Sequence, residues 1–307
     1  MLRYSTTPNR AGVCRIPGVA RALRECARRT PARFLENDPV RLARAYTDPG
    51  DAEVAAMLGS FLAFGKVAAF LPKVQSLLRL MGPSPRAYVE AYRPSRDLDF
   101  FRGFRSRVYR GDDLRLLIEN LRLVFRDHAT LEDAFLEARA AEGLVERLGE
   151  HRARLAAFAR LLYRADPRSI TGRRSYPSGY RHLVPDPAAG SACKRWNLFL
   201  RWVARPADGV DLGLWKRVDP ADLVIPLDIH VARISSLIGI RKRRTPDWKS
   251  AEEVTAWLRA LDPRDPLRFD FPLSHIGISS RCKGRWVETI CEPCRIRKIC
   301  SVGRRGH

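Results

Sequence analysis

Acidic side chains are scarce in this chain. Only 34 Asp and Glu stand against 56 Lys and Arg, which leaves a formal net charge of +22 over 307 residues. Such a field disfavours cationic partners and draws polyanions through counterion release and electrostatic steering, so nucleic acid is the first partner to expect. Most of the cations are Arg, whose planar fork suits phosphate, although an arginine-biased genome would raise the same count. Long apolar runs are missing too. No window reaches the roughly 18 apolar residues of a membrane span, so the expectation is a soluble, cytoplasmic protein without a membrane partner. Alternating strand patterns, solenoid-length repeats and low-complexity segments are absent as well, which argues against β-rich, repeat and disordered classes. An even, dispersed set of cysteines is also lacking. Of the seven present, four lie in the last 26 residues, which is not the distribution of a secreted disulfide framework.

What the chain does have is helical periodicity. From Asp113 to His128 the apolar positions Leu114, Leu117, Ile118, Leu121, Val124 and Phe125 share one face. Val54, Leu58, Phe61 and Leu62 repeat the pattern earlier, and Leu155, Phe158, Leu161 and Leu162 later. Ser250 through Glu253 reads as a capping box before Val254, Trp257 and Leu258. The fold class is therefore all-α. Pro and Gly punctuation at residues 81–85, 166–167, 177–190 and 204–209 suggests two helical lobes, residues 31–165 and 166–280. Residues 1–30, with seven Arg and one acid (Glu25), read as a loose basic tail. Residues 281–307 form a basic cysteine tail.

Two helix starts carry the candidate chemistry. After Gly190, the apolar stripe Trp196, Phe199, Leu200 and Val203 leaves Lys194, Asn197 and Arg201 on another face. The turn 184–190 delivers the chain into a helix N-terminus whose free N–H groups can receive a phosphate. In Pro226-Leu227-Asp228-Ile229-His230-Val231-Ala232-Arg233, Asp228 sits where it caps the next helix. A solvated lysine and a plain N-cap are the simpler roles for these two residues. Ten Lys and Arg against three Asp between Arg168 and Arg217, a net of +7, surround the first helix, and Arg241-Lys242-Arg243-Arg244 follows the second.

A proline turn, a Gly four residues before a Lys, and a later Pro-x-Asp-x-His-Val-x-Arg resemble the helix-hairpin-helix DNA glycosylase superfamily. More narrowly, Asp51-Ala52-Glu53, Gly111-Asp112-Asp113-Leu114, Ser191-Ala192-Cys193-Lys194-Arg195, Val210-Asp211-Leu212-Gly213 and Pro226-Leu227-Asp228 are similar to an uncharacterised bacterial family beside that superfamily, over roughly residues 33 to 280. The resemblance implies two helical lobes around a cleft, Lys194 as nucleophile, Asp228 as catalytic aspartate and Gly190 as first hairpin glycine. The second hairpin glycine is replaced by Ala192. Lys194 and Asp228 stand 34 positions apart, a longer separation than most members have, and one that resembles the archaeal 8-oxoguanine branch.

The residue types suit that chemistry. Breaking an N-glycosidic bond builds positive charge on the sugar, which a carboxylate such as Asp228 stabilises electrostatically. An amine attacking C1′ leads to a Schiff base, and β-elimination then nicks the strand. The target base must leave the duplex, so a pocket and a wedge are implied. The expected activity is base-excision glycosylase with AP-lyase capacity on double-stranded DNA, with an oxidised purine favoured by the resemblance, in a nucleoid-associated monomer. Gly190, Ser191, Arg195, Arg201, Lys283 and Arg285 are the expected DNA contacts. Trp196, Phe199, Trp202, Trp215 and Tyr180 are stacking candidates whose ordinary role is core packing.

Cys282, Cys291, Cys294 and Cys300 are spaced Cys-x8-Cys-x2-Cys-x5-Cys. Thiols at that density suit a metal, either a [4Fe–4S] cluster or tetrahedral zinc. The last three match the spacing of the iron–sulfur tail of endonuclease III-like glycosylases, whereas the first gap is longer, so His275 is a conceivable replacement for Cys282. Two other readings stay open: a non-catalytic nucleic-acid binder with a structural metal, and a zinc-dependent RNA-associated protein.

Overall fold

The computed structural model describes residues 17–28, 35–36, 38–279 and 281–305. Helix accounts for 61% of it and strand for 2%, so the all-α expectation holds. Nine helices of at least nine residues run through the described residues: α1 (Pro17–Arg28), α2 (Pro49–Phe61), α3 (Val67–Met81), α4 (Gly111–Asp127), α5 (Glu150–Leu161), α6 (Lys194–Ala204), α7 (Ile229–Leu237), α8 (Trp248–Leu261) and α9 (Asp270–Ser279). Among the described residues one strand pair occurs. β1 (Arg105–Ser106) meets β2 (Tyr109–Arg110) antiparallel, with Ser106 opposite Tyr109. None of the described helices is long and apolar enough to cross a membrane.

The chain forms two units that interleave in sequence. One holds residues 35–191 and 202–218; the other holds 192–201 and 219–307 together with residues 1–34. The punctuation-based boundary near residue 166 is thus corrected, and side chains explain why. In the first unit, Asn120 of α4 donates to the Tyr180 hydroxyl at 3.0 Å and accepts from the N–H groups of Arg164 and Ala165, each at 2.8 Å. Tyr176 stacks on Tyr180 with ring centroids 4.8 Å apart, which draws residues 166–191 onto α4. Residues 202–218 return to the same unit because the Trp215 indole donates to Glu53 of α2 at 2.5 Å and packs 5.5 Å from Phe135.

α2 forms the centre of this unit. Pro49 occupies its first turn, where no N–H is needed, and the Asp48 side chain accepts from the Asp51 N–H at 2.9 Å. Its interior is buried on all faces from Ala52 to Phe61, Glu53 included. α4 starts where Asp113 accepts from the Arg110 N–H at 2.8 Å. A Cβ at Gly111 would lie 1.8 Å from the Phe101 carbonyl oxygen, so no other residue fits there.

The second unit contains α1, the first eight residues of α6, and α7 to α9. Residues 17–28 are not a loose tail: Val19, Leu23 and Cys26 make a buried stripe at helical spacing, and α1 packs on α9. The high Arg content hid that stripe. Residues 1–16, 29 and 30 lie outside the described residues. α8 begins at Trp248 and is capped by Asp247, which accepts from the Ser250 N–H at 2.9 Å. The capping box expected at Ser250 is therefore one turn misplaced. Glu253 instead accepts from the N–H groups of Lys242 and Arg243 at 3.0 and 3.1 Å.

Burial pushes the Glu53 carboxyl from 4.5 up to about 7, opposed by hydrogen bonds from the Leu131 N–H and the Trp215 indole. A raised folded-state value means that the neutral form is favoured in the fold. Stability from this group is full below pH 4.5 and declines as pH rises toward 7. Over that window the loss is about 3 kcal/mol. Wild type should therefore lose more thermal stability between pH 5 and pH 8 than Glu53→Gln does, as read by circular-dichroism melts; parallel pH profiles would contradict this.

Candidate active site

Lys194 is the first residue of α6. The chain reaches it through two left-handed residues, Gly190 at φ +93° and Cys193 at φ +45°, so the second left-handed position is Cys193 and not Ala192. The chain passes from residues of the first unit to residues of the second between Ser191 and Ala192. Left-handed backbone in a residue with a Cβ costs roughly 1–2 kcal/mol. That strain sits at the entry to the candidate nucleophile. The Lys194 side chain is half-buried, and its ammonium forms no hydrogen bond or ion pair with any described residue.

Asp228 caps α7 with one oxygen. Its Oδ1 accepts from the His230 N–H at 2.9 Å and from the Val231 N–H at 2.7 Å. No described residue donates to Oδ2. The structural role and a chemical role are therefore compatible, because a single oxygen performs the cap. Beside Asp228, Ile229 is 70% exposed, an apolar side chain on the rim of a half-buried carboxylate.

Three helices meet around His275. Burial pushes its imidazole down to about 4; the bond to the Phe271 carbonyl opposes this, as does Asp228, while Arg201 and His230 reinforce it. At neutral pH the ring is uncharged, with Nδ1 3.0 Å from the Phe271 oxygen. Asp228 and His230 of α7, His275 of α9 and Arg201 of α6 thus share one neighbourhood. Lys194 and Arg201 are seven residues apart, close to two helical turns, so they lie on one face about 10.5 Å apart along the axis. The same face of α6 carries Lys194 and the contact to α9. α7 and α9 touch at Gly277, where a Cβ would stand 2.8 Å from the His230 Cβ.

One expected DNA contact changes role. Arg201 is 3% exposed and ion-paired with the equally buried Asp270, with its guanidinium 5.7 Å from the Phe271 ring centre. It is removed as a phosphate contact because both faces of α6 are packed, Asn197 being buried as well. Arg195 is half-buried, and Ser191, Lys283 and Arg285 are exposed. Trp196, Phe199, Trp202, Trp215 and Tyr180 are all buried in the core. His230 is not hydrogen-bonded through its ring: its buried Nδ1 has no partner among the described residues. Arg233 donates to the Cys282 carbonyl at 2.6 Å. Arg243 of the basic run is ion-paired with Asp247 at 2.6 Å.

Cys282, Cys291, Cys294 and Cys300 line one small cavity of about 20 Å³, partly open to solvent. Its other walls include Ile234 and Leu237 of α7 and Ile276 of α9, with no carboxylate or imidazole. His275 is absent from that lining and does not replace Cys282. Burial raises the Cys294 thiol, and the thiols of Cys300, Cys282 and Cys291 raise it further. Among the described residues no three of these groups are close enough to hold a single metal ion as they stand. Sequence spacing missed a fifth thiol. Cys26 of α1 is raised by burial and is close enough to Cys294 and Arg295 to feel both. The Val19/Leu23/Cys26 stripe was the available signal. Cys14 lies outside the described residues.

A family profile matches residues 38–279, which include Lys194 and Asp228 and stop short of Cys282. The chain belongs to DUF2400, a protein family of unknown function. No curated protein and no solved structure matches it. Within the DUF2400 region the other motif residues hold the fold. Asp51 accepts from the Ser84 hydroxyl at 2.7 Å and the Arg86 N–H at 2.9 Å, and Asp211 is buried against Arg205. Gly213, at φ +61°, faces Ala207 so closely that a Cβ would lie 2.6 Å from its nitrogen. The Lys194 ammonium and the Asp228 Oδ2 are the motif groups left without such a structural task.

The buried Arg201–Asp270 pair yields a stability prediction. Asp270→Ala leaves a guanidinium in the core without its carboxylate and should cost about 3–5 kcal/mol. Replacing both partners with Met and Leu should cost much less. Urea unfolding of the two variants checks this, and equal losses would mean that packing rather than charge dominates the site.

Proposed function

We propose that this DUF2400 chain is a DNA base-excision glycosylase with AP-lyase activity. The observation that carries the reading is the unpartnered Lys194 amine in the same unit as a carboxylate that caps α7 with one oxygen and presents the other. Asp228 Oδ2 accepts the proton that Lys194 must lose and stabilises positive charge as the glycosidic bond lengthens. Lys194 Nζ then bonds to C1′ as the base departs with the bonding electron pair. Opening of the sugar ring gives a protonated imine. Loss of a C2′ proton, with departure of the 3′ phosphate, breaks the strand. Neutral His275 adds no second positive charge beside the forming cation. Ser191, Arg195, Lys283 and Arg285 supply phosphate contacts, and a monomer acting at the nucleoid on an oxidised purine is the favoured setting.

The four cysteines are proposed to hold a [4Fe–4S] cluster. An all-sulfur donor set, between aliphatic side chains and the guanidinium groups of Arg285 and Arg297, is what supports this. The match of Cys291, Cys294 and Cys300 to the spacing of the iron–sulfur tail of endonuclease III-like glycosylases favours a cluster over tetrahedral zinc. When bound, such a group supplies positive charge that makes four thiolates tolerable in that setting. The chain's own residues then tie the tail to α7, through Arg233 and through the Ser301 N–H, which donates to the Leu237 carbonyl at 2.8 Å.

The test is a panel of duplex oligonucleotides, each with one damaged base, scored with and without hot alkali. Wild type should release one class of base and nick without alkali. Asp228→Asn should slow base release by about 100-fold or more, and Lys194→Gln should abolish alkali-independent nicking. Binding without base loss on every lesion would leave a non-catalytic nucleic-acid binder. Separately, anaerobically purified protein should carry about four irons and absorb at roughly 400 nm, both lost in Cys291→Ser. Stoichiometric zinc would replace the cluster, and preference for single-stranded RNA would favour an RNA-associated role.

A further inference from the structure

Three large hydrophobic side chains are exposed among the described residues, and one of them, Val108, is 52% exposed at the tip of the β1–β2 hairpin. Ser106 pairs with Tyr109, so Arg107 and Val108 form the whole turn. Two-residue hairpin turns favour glycine at left-handed positions, yet Arg107 adopts φ +58°. The hairpin is not a loose loop. Tyr109 is fully buried, and its hydroxyl lies 2.9 Å from His182 Nδ1; the His182 ring packs edge-on to Phe64 at 4.7 Å. Ser106 is buried as well.

The surroundings of the tip are cationic. Between Phe100 and Gly111 the chain has four Arg and no acid. Arg105 is folded back, donating to the carbonyls of Arg102 and Phe104 at 2.9 and 2.8 Å, and Arg102 faces Asp99 at 3.2 Å. Arg107 and Lys66 are exposed and pair with no carboxylate among the described residues, and Arg110 is exposed with Asp113 near enough to feel its charge. The Arg107 guanidinium lies 5.5 Å from the Phe64 ring centre, and its Nε would be 3.3 Å from a Cβ at Gly65, so the glycine leaves room for its stem.

We infer that this hairpin is a duplex-DNA wedge, in which Val108 enters a base step while Arg107, Arg110 and Lys66 grip the flanking phosphates. An aliphatic tip on a rigid base, with exposed cations around it, has the chemistry of side chains that unstack a duplex. Water alone favours neither an exposed valine nor an arginine in a position suited to glycine. A polyanion with apolar base faces favours both. The inference rests on the reading of this chain as a DNA-binding protein, but not on base removal.

The test uses the full chain and a duplex carrying 2-aminopurine opposite a mismatched base, whose fluorescence rises when it unstacks. Wild type should raise the signal. Val108→Ser should lose that rise while largely keeping affinity, and Val108→Leu should restore it. Arg107→Glu should weaken binding by about tenfold, and Arg110→Gln and Lys66→Gln should each lower the salt dependence by about one phosphate contact. Arg107→Gly should melt at a higher temperature than wild type and bind more weakly, which separates loss of contact from loss of fold. An unchanged fluorescence rise in Val108→Ser, or tighter binding to an RNA duplex than to DNA, would overturn the wedge. Borohydride trapping on a single-stranded abasic oligonucleotide needs no wedge. A trapped adduct with no unstacking would sink this inference alone, and unstacking with no adduct would sink the catalytic reading alone.

Discussion

A single carboxylate oxygen begins α7, and the candidate site depends on that bond pair. A helix of nine residues is too short to persist on its own. Asp228 Oδ1 satisfies two of its four free N–H groups, Gly277 lets α9 approach its first turn, and the tail engages its far end through Leu237. The free oxygen of Asp228 is held still because its twin is bound twice. The neighbouring neutral imidazole of His275 is fixed by its own helix, through Phe271. A mobile carboxylate would have to be ordered during a reaction; this one is ordered beforehand.

The same helix forms a wall of the cysteine cavity. Ile234 and Leu237 lie along one side of α7 and face the thiols, and Arg233 reaches the Cys282 carbonyl. Cap and cavity are two ends of one short element. The cysteine tail and α1 fall outside the DUF2400 match, yet both pack within the unit that holds Lys194 and Asp228. The net charge of +22 is likewise only partly available to a polyanion. Arg201 and Arg205 are buried against carboxylates, and Arg217 and Arg243 are paired at the surface. What remains exposed is spread over both units, the β1–β2 hairpin and the cysteine tail included.

Much of this was legible in the sequence. Helical periodicity located α2, α4 and α5, and the Asp228 cap follows from a polar residue before an apolar helix. The four cysteines of the tail could be read from spacing alone. Other features could not. The polar face of α6 looks exposed because Asn197 and Arg201 are polar, but Asp270, 69 positions beyond Arg201, supplies the partner that lets that face be buried. The interleaved units escaped notice for the same reason: Glu53 and Trp215 meet across 162 positions, and no local pattern reports such a contact. In α1, arginine content outweighed a three-residue apolar stripe. Val108 carries no motif at all, and only its exposure marks it.

The central claim is that the Lys194 amine and the Asp228 carboxylate act on one deoxyribose. Its most direct measurement is peptide mass spectrometry of the protein after cyanoborohydride reduction with an abasic duplex, which locates the sugar on the chain. A single modified peptide with the sugar on Lys194, depleted in Asp228→Asn, is the predicted result. Sugar spread over surface lysines, or an unmodified Lys194 beside a modified lysine elsewhere, would contradict the account.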